Sequence, residues 1–147
     1  MPLTKTAFKG ARFQLITGII ADPAVGSSVN WPVPAGSVIE IQSVLFTLDT
    51  DATAVNRVAC VSCYAGGVIF HQSAAPVPQM ESLTRSYSFT VGILPIDYGS
   101  DTEFIYSNLA CCMFLQPTEE FRIVVSNIQA TDQISDIEIR YFQWKED

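Results

Sequence analysis

The chain has 147 residues, of which 48% are hydrophobic and only 16% are charged. This is the length of one domain, and it is enough to bury a core without disulfides or a structural metal. Lysines and arginines number 8 against 15 aspartates and glutamates, which gives a formal net charge of -7. No basic patch is dense enough to neutralise phosphates, so nucleic acid is excluded as an expected partner. So few charges leave an apolar surface, which indicates contact with other protein in an oligomer or assembly.

The N-terminal segment imitates a targeting signal only loosely. Lys5, Lys9 and Arg12 come before a short apolar run, LITGII. That run is well short of the ~20 residues that a membrane span needs, and no small-residue cleavage site follows closely. We therefore interpret residues 1–12 as a basic arm and residues 13–147 as one domain, and we expect no membrane partner.

Short runs rich in Val, Ile, Phe, Tyr and Thr recur between Gly, Pro, Asn and Asp, while helical periodicity is scarce. This pattern predicts an all-β chain of about eight strands. A Gly-containing turn at Ala65 to Gly67 should join the third and fourth strands as a hairpin. In chain order the predicted strands cover residues 13–20, 38–48, 57–64, 68–71, 84–91, 103–115, 120–126 and 134–144. The one over 103–115 is less regular than the others.

Eight strands separated by turn signals suit two packed antiparallel sheets. A jelly roll fits best, because its two Greek keys need eight strands and long, uneven connections. An immunoglobulin-like sandwich is the alternative, weakened by the lack of a cysteine and tryptophan framework. Trp31 lies in a segment where Pro32 and Pro34 are expected to prevent strand pairing.

The four cysteines could in principle form a zinc site, with Cys60 and Cys63 as a CxxC pair and Cys111 and Cys112 completing it. Residues three apart on a strand point to opposite faces, however, and so do adjacent residues. This geometry argues against zinc and favours buried, reduced thiols made in a cytoplasm.

No catalytic constellation is recognisable, and we predict no cofactor. His71 is the only histidine, no GxSxG setting accompanies it, and we interpret it as a strand-end residue. A single histidine also argues against a cupin, which needs several histidine ligands. Exposed aromatics could form a sugar platform, with Trp31, Tyr98, Tyr106 and Trp144 as candidates. A carbohydrate-binding sandwich therefore remains an alternative.

The stretch DTDATAVNRV, residues 49–58, has the oxygen-rich look of a calcium loop. An EF-hand needs glycine at its sixth position and glutamate at its twelfth. Counting from Asp49, those positions hold Ala54 and Cys60. We interpret the stretch as a corner between strands, in which Asp, Thr and Asn side chains bond the turning backbone.

The block WPVPAGSVIEIQSVLFTLDTDATAVNRVACVSCYAGGVIF combines a VPAG start, a TDATA-x-NR corner and a Gly-containing hairpin. This organisation resembles small β-sandwich proteins encoded among the virion structural genes of tailed bacteriophages. The resemblance covers residues 31 to about 91, with a weaker echo in SNIQATDQISDIEIRYF. The family commonly has more Arg and Leu in these strands, and the four cysteines are not part of the pattern.

The resemblance implies a non-enzymatic virion component, and among these a head decoration or cement protein. Such a protein would be made in the host cytoplasm and sit on the capsid surface, as a homotrimer that bridges major capsid proteins. A tail, neck or fibre component is the nearest alternative. We expect contacts with partners from the arm, through Lys5, Lys9 and Arg12, and from Trp31 and Trp144.

Overall fold

The computed structural model describes residues 12–92, 104–110 and 114–145, and only the backbone of residues 12 and 13. Within these ranges the chain forms strands and no helix, as predicted, so no helix there is long and apolar enough to cross a membrane. The strands are β1 Arg12–Ile20, β2 Val29–Pro32, β3 Ser37–Asp49, β4 Ala59–Ala65, β5 Val68–Ala74, β6 Thr84–Val91, β7 Phe104–Leu109, β8 Phe114–Leu115, β9 Glu120–Val125 and β10 Gln133–Lys145.

These strands form two sheets packed face to face, so the predicted β-sandwich is confirmed. Sheet A has the order β1-β10-β3-β6-β7, with β8 paired to one end of β3. Sheet B has the order β2-β9-β4-β5. All pairs are antiparallel except β6 with β7, which run parallel.

The antiparallel pairs are nested along the chain. β1 pairs with β10, β2 with β9, β3 with β6, and β4 with β5. The first strand therefore pairs with the last and the second with the one before it, down to the β4–β5 hairpin in the middle. This is the pairing of one long antiparallel ribbon folded over on itself, with β7 and β8 inserted before its closing strands.

The core lies between the sheets, and alternation along the strands selects its residues as predicted. Tyr87 and Phe89 of β6 face inward, as do Phe121 and Ile123 of β9, and all four are fully buried. The Phe46 ring stacks on Tyr87 with ring centroids 5.2 Å apart. Such aromatic pairs add packing energy beyond the area they bury.

Two regions of the chain differ from prediction. The Pro-rich segment forms β2, in which Trp31 lies opposite Phe121 and Pro32 opposite Glu120. β2 is an edge strand of sheet B and Pro32 is its last residue, so the missing proline N–H interrupts no sheet interior. The predicted irregular region is two separate strands, β7 and β8, and the chain therefore has ten strands in its described part instead of about eight.

The predicted hairpin between β4 and β5 is confirmed. Ala65 lies opposite Val68, and the two residues between them, Gly66 and Gly67, have φ of 57° and 80°. A two-residue turn with both φ angles positive matches the twist of the flanking strands, and glycine adopts it without strain.

Candidate functional site

The acidic stretch 49–58 forms a corner that is held by a buried ion pair. Arg57 is fully buried, and its Nε and Nη2 each donate at 3.0 Å to the carboxylate of Asp132, which is also fully buried. Arg57 Nη2 also donates to Asp51 at 2.6 Å. Its Nη1 donates to the carbonyls of Thr53 and Val55 at 2.7 and 2.8 Å. Every guanidinium nitrogen thus has an acceptor, as a buried charge requires.

The Asp132 carboxylate is equally well bonded. Besides Arg57, it accepts the backbone N–H groups of Asp51 and Gln129, each at 2.8 Å. Burial by itself would lower the pKa of Arg57, but its bonds to Asp132 and Asp51 raise that pKa. Arg57 therefore stays charged, and the bonds of the cluster fix the corner.

The predicted role of the stretch as a corner is confirmed. Asp51 accepts the backbone N–H of Thr53 at 2.9 Å, which is the local bond by which an aspartate supports a turn. Asp49 accepts the hydroxyl of Thr84 on the neighbouring strand. Within the described ranges, no three His, Cys, Asp or Glu side chains lie together in a way that could hold a metal ion.

Asp51 makes the stability of the corner depend on pH. Hydrogen bonds, first from the Thr131 hydroxyl and then from the Thr53 backbone, lower its pKa from 3.8 to about 2. Because the folded pKa is depressed, the stabilisation is complete above pH 3.8 and is lost as the pH falls towards 2. We expect the unfolding free energy of the protein to fall more steeply across this window than that of Asp51→Asn, as measured by urea titration at several pH values. Parallel curves for the two proteins would contradict this.

The cysteines that the structure describes are protonated thiols. Cys63 is fully buried in the core, and burial, followed by the charge of Glu119, raises its pKa to about 12. Cys60 is half-buried, and burial raises its pKa as well. Both are free. Thiolates are the reactive and metal-binding form, so these two residues behave as apolar packing groups. Cys111 and Cys112 lie outside the described residues.

His71 lies inside β5 and not at its end, because this strand continues to Ala74. Its Nε2 lies 3.1 Å from the hydroxyl of Ser73. A serine and a histidine are two parts of a hydrolytic triad, whose third part orients the imidazole. Among the described residues no carboxylate is hydrogen-bonded to this ring. The pair spans two positions of one partly exposed strand and does not form a site.

The structure does not bring the predicted partner-contact residues together. Trp31 points between the sheets, half-buried, with its ring 5.3 Å from that of Tyr141. Trp144 lies on the outer face of sheet A, 5.5 Å from Phe114. The two tryptophans are therefore on opposite sides of sheet A. Lys5 and Lys9 lie outside the described residues, as does the side chain of Arg12, whose backbone begins β1 instead of ending an arm.

A groove of about 250 Å³ crosses the outer face of sheet A, the face turned away from sheet B. Phe104 and Tyr106 stand on the same face of β7 because they are two residues apart, and Phe104 is 53% exposed. Asp136 is the charged residue in the lining. The outward side chains that line this outer groove are Leu45, Thr47, Ser86, Ser88, Phe104 and Tyr106.

The hydroxyl groups on the floor of the outer groove are paired with one another. The Thr47 and Ser86 hydroxyl oxygens lie 3.4 Å apart, and those of Ser88 and Thr90 lie 3.1 Å apart. Each pair uses one of its two hydroxyl hydrogens, which leaves fewer donors for a ligand. Beside these hydroxyls, Leu45, Phe104 and Tyr106 offer leucine and aromatic surface to an occupant.

A second apolar surface is the tip of the β4–β5 hairpin, residues 66–70. Val68, Ile69 and Phe70 are 68, 45 and 48% exposed, and β5 has no buried residue along its length. β5 is an edge strand of sheet B, and a bulge interrupts its pairing next to Phe70. Three consecutive large apolar residues in such a position are unusual unless they contact another molecule.

The rest of the outer face of sheet B is polar near this hairpin. The guanidinium of Arg122 lies 3.9 Å from the ring centroid of Tyr64 and pairs with Glu120. Gln72 donates to the hydroxyl of Ser62 at 3.1 Å. Within the described strands of sheet B, the exposed large hydrophobic side chains are those of the hairpin tip.

Most of these surfaces were not predicted from the sequence. Tyr106 was predicted to be an exposed aromatic and Phe104 was not, although their spacing on a strand places them on one face. The hairpin turn was predicted correctly, but no role was predicted for the VIF run that follows. Comparison with known protein families, with curated proteins and with solved structures gave no match.

Proposed function

We propose that the chain is a non-enzymatic structural protein of a tailed-bacteriophage virion, acting as a capsid decoration or cement protein. The observation that carries the proposal is the exposed apolar hairpin tip, Val68 to Phe70, on an edge strand of the sandwich. Exposed apolar residues on a sheet edge mark a contact site for other protein. The resemblance of the sequence to phage virion proteins suggests that the virion is the assembly in which the hairpin tip is covered.

The nested strand pairing supports a jelly roll as the finer fold. Without β7 and β8, eight strands remain, paired first to last, second to seventh, third to sixth and fourth to fifth. A ribbon of four such pairs that is rolled into two sheets is a jelly roll, an architecture common among viral capsid domains. Fold alone does not determine function, so this point adds to the proposal without carrying it.

A decoration protein of this kind would stabilise the capsid by adding contact area between its subunits. It would bridge neighbouring major capsid proteins and so oppose the outward pressure of the packaged genome. Its own chemistry would be confined to packing and hydrogen bonding at the joints. The basic segment before β1, with Lys5 and Lys9, would add electrostatic attraction to an acidic partner surface.

The second candidate is a carbohydrate-binding module, which the aromatic lining of the outer groove favours. Phe104 and Tyr106 could stack on a sugar ring. Sugar recognition also needs free hydrogen-bond donors, and two hydroxyl pairs on this face each use one of their two hydrogens internally. The outer groove thus suits an apolar occupant better than a sugar.

The test compares virions that carry the gene with virions that lack it. We expect mass spectrometry to find the chain in purified particles, immunogold labelling to place it on heads, and heat to release DNA at a lower temperature when it is missing. Labelling on tails would replace the decoration role with another virion role. Absence from particles, together with binding to a glycan array, would overturn the proposal. A chain lacking residues 2–11 tests the basic segment, since unchanged occupancy on heads would exclude a role for it.

A further inference from the structure

We propose that copies of this chain assemble head to tail, with the hairpin tip of one copy seated in the outer groove of the next. The inference rests on the proposed function, in that it names a second copy of the chain as the first partner of an assembly protein. The proposed contact joins two surfaces. One is the tip, Val68 to Phe70, and the other is the part of the groove lined by Leu45, Phe104 and Tyr106.

The two surfaces match in size and chemistry. The outer groove holds about 250 Å³, which exceeds the ~150 Å³ of a protein cavity known to bind benzene. It can therefore accept the ring of Phe70, which is 48% exposed. The tip is aliphatic and aromatic, and the groove presents Leu45, Phe104 and Tyr106 to it, so their contact removes apolar area from water on each side.

Charge also favours this contact over others between two copies. Each copy carries a formal net charge of -7, so copies repel one another in general. The hairpin tip has no charged residue, and among the described residues that line the groove Asp136 is the charged one. A contact between these surfaces therefore leaves few charges to desolvate.

The hairpin tip cannot fill the groove of its own chain. The tip belongs to sheet B, whereas the groove lies on the face of sheet A that is turned away from sheet B. Sheet A itself stands between them. A contact between two different surfaces of identical chains is heterologous, and it propagates until it closes into a ring or continues as a filament. The predicted trimer would be such a ring.

The contact does not consist of edge-to-edge strand pairing. The bulge beside Phe70 interrupts the β5 edge, and the carbonyl of Ala74 already accepts the Ser107 hydroxyl at 3.0 Å. Bulges are a common means of blocking strand addition at an edge. The side chains of the tip, and not its backbone, are thus the binding element.

The test uses two single variants and their mixture, measured by light scattering after size exclusion. Phe70→Asp removes the apolar tip and leaves the groove, whereas Ser88→Arg blocks the groove and leaves the tip. We expect the wild type to be oligomeric and each variant to be monomeric. Mixing the two should yield a heterodimer, because one intact tip then meets one intact groove. Val25→Asp, which changes an equally exposed residue in the β1–β2 loop, should leave the oligomer intact.

The outcomes that overturn the inference are distinct. A monomeric wild type, an oligomeric Phe70→Asp, or a mixture that stays monomeric would each exclude the head-to-tail contact. Circular dichroism must show that both variants are folded. If Ser88→Arg does not fold, Leu45→Glu replaces it as the variant that blocks the groove. A chain that is monomeric in solution yet present on virion heads would reject this inference and leave the proposed function standing.

Discussion

Replacing Asp132 with alanine is expected to lower the free energy of unfolding by about 3–5 kcal/mol, the usual cost of leaving a buried charge without its partner. The substitution removes the two hydrogen bonds that Arg57 donates to Asp132. It also removes the acceptor for the backbone N–H groups of Asp51 and Gln129. Asp51 alone would remain to balance Arg57. Urea titration followed by tryptophan fluorescence measures the loss.

The matched control is a surface ion pair of the same length. Glu138 accepts from Arg140 at 3.0 Å, as Asp132 does from Arg57, but both side chains are solvent-accessible. Glu138→Ala should therefore cost less than about 1 kcal/mol. An isosteric Asp132→Asn variant, which keeps the shape but not the charge, should fall between the two. Equal costs for Asp132→Ala and Glu138→Ala would show that burial does not strengthen the role of the Asp132 pair.

The pairing of Arg57 with Asp132 could not be predicted from the sequence. The two segments that carry the resemblance, around TDATA-x-NR and SNIQATDQ, contain Arg57 and Asp132, and the structure packs these segments against each other. Nothing in the local pattern of either segment reveals a partner 75 positions away. Arginine is almost never fully buried unless it is paired, so burial of Arg57 could be expected only once the fold supplied Asp132.

Strands were predictable where one face is buried along their whole length. Residues 86–91 alternate between hydroxyl and large apolar side chains, and β6 has the bounds predicted for this strand, 84–91. β2 was missed because Pro32 inside it and Pro34 just after it outweigh a four-residue pattern, and the edge position and strand end make Pro32 tolerable. The parallel pairing of β7 with β6 follows from the path of the chain, since periodicity carries no information on strand direction.

The interaction surfaces were less predictable than the strands. Periodicity identifies which residues face inward, and the outer face is read as polar by default. The outer groove depends on three strands, β3, β6 and β7, that are brought together from distant parts of the chain. The hairpin tip was visible in the sequence as GGVIF, but its exposure depends on β5 being an edge strand.

Replacing Gln79 with methionine is expected to lower the free energy of unfolding by about 2–4 kcal/mol, because it leaves buried polar groups without partners. Gln79 is fully buried. Its Nε2 donates to the carbonyls of Leu48 and Leu83, each at 2.8 Å, and its Oε1 accepts the Tyr87 hydroxyl at 2.9 Å. Its backbone exchanges two further bonds with Arg57, so this glutamine ties the corner to the aromatic core.

A double-mutant cycle with Tyr87→Phe separates the orphaned hydroxyl from the other losses. Burial raises the pKa of Tyr87 to about 12, although Arg85 opposes the shift, so this hydroxyl remains a donor at neutral pH and needs an acceptor. Tyr87→Phe alone should cost about 1 kcal/mol, the net value of one hydrogen bond. In the Gln79→Met background the same change should cost less or stabilise the protein, because the hydroxyl it removes is already unpaired. Strictly additive costs would mean that the Gln79–Tyr87 bond contributes nothing, and that the link between corner and core lies in the backbone bonds to Arg57 alone.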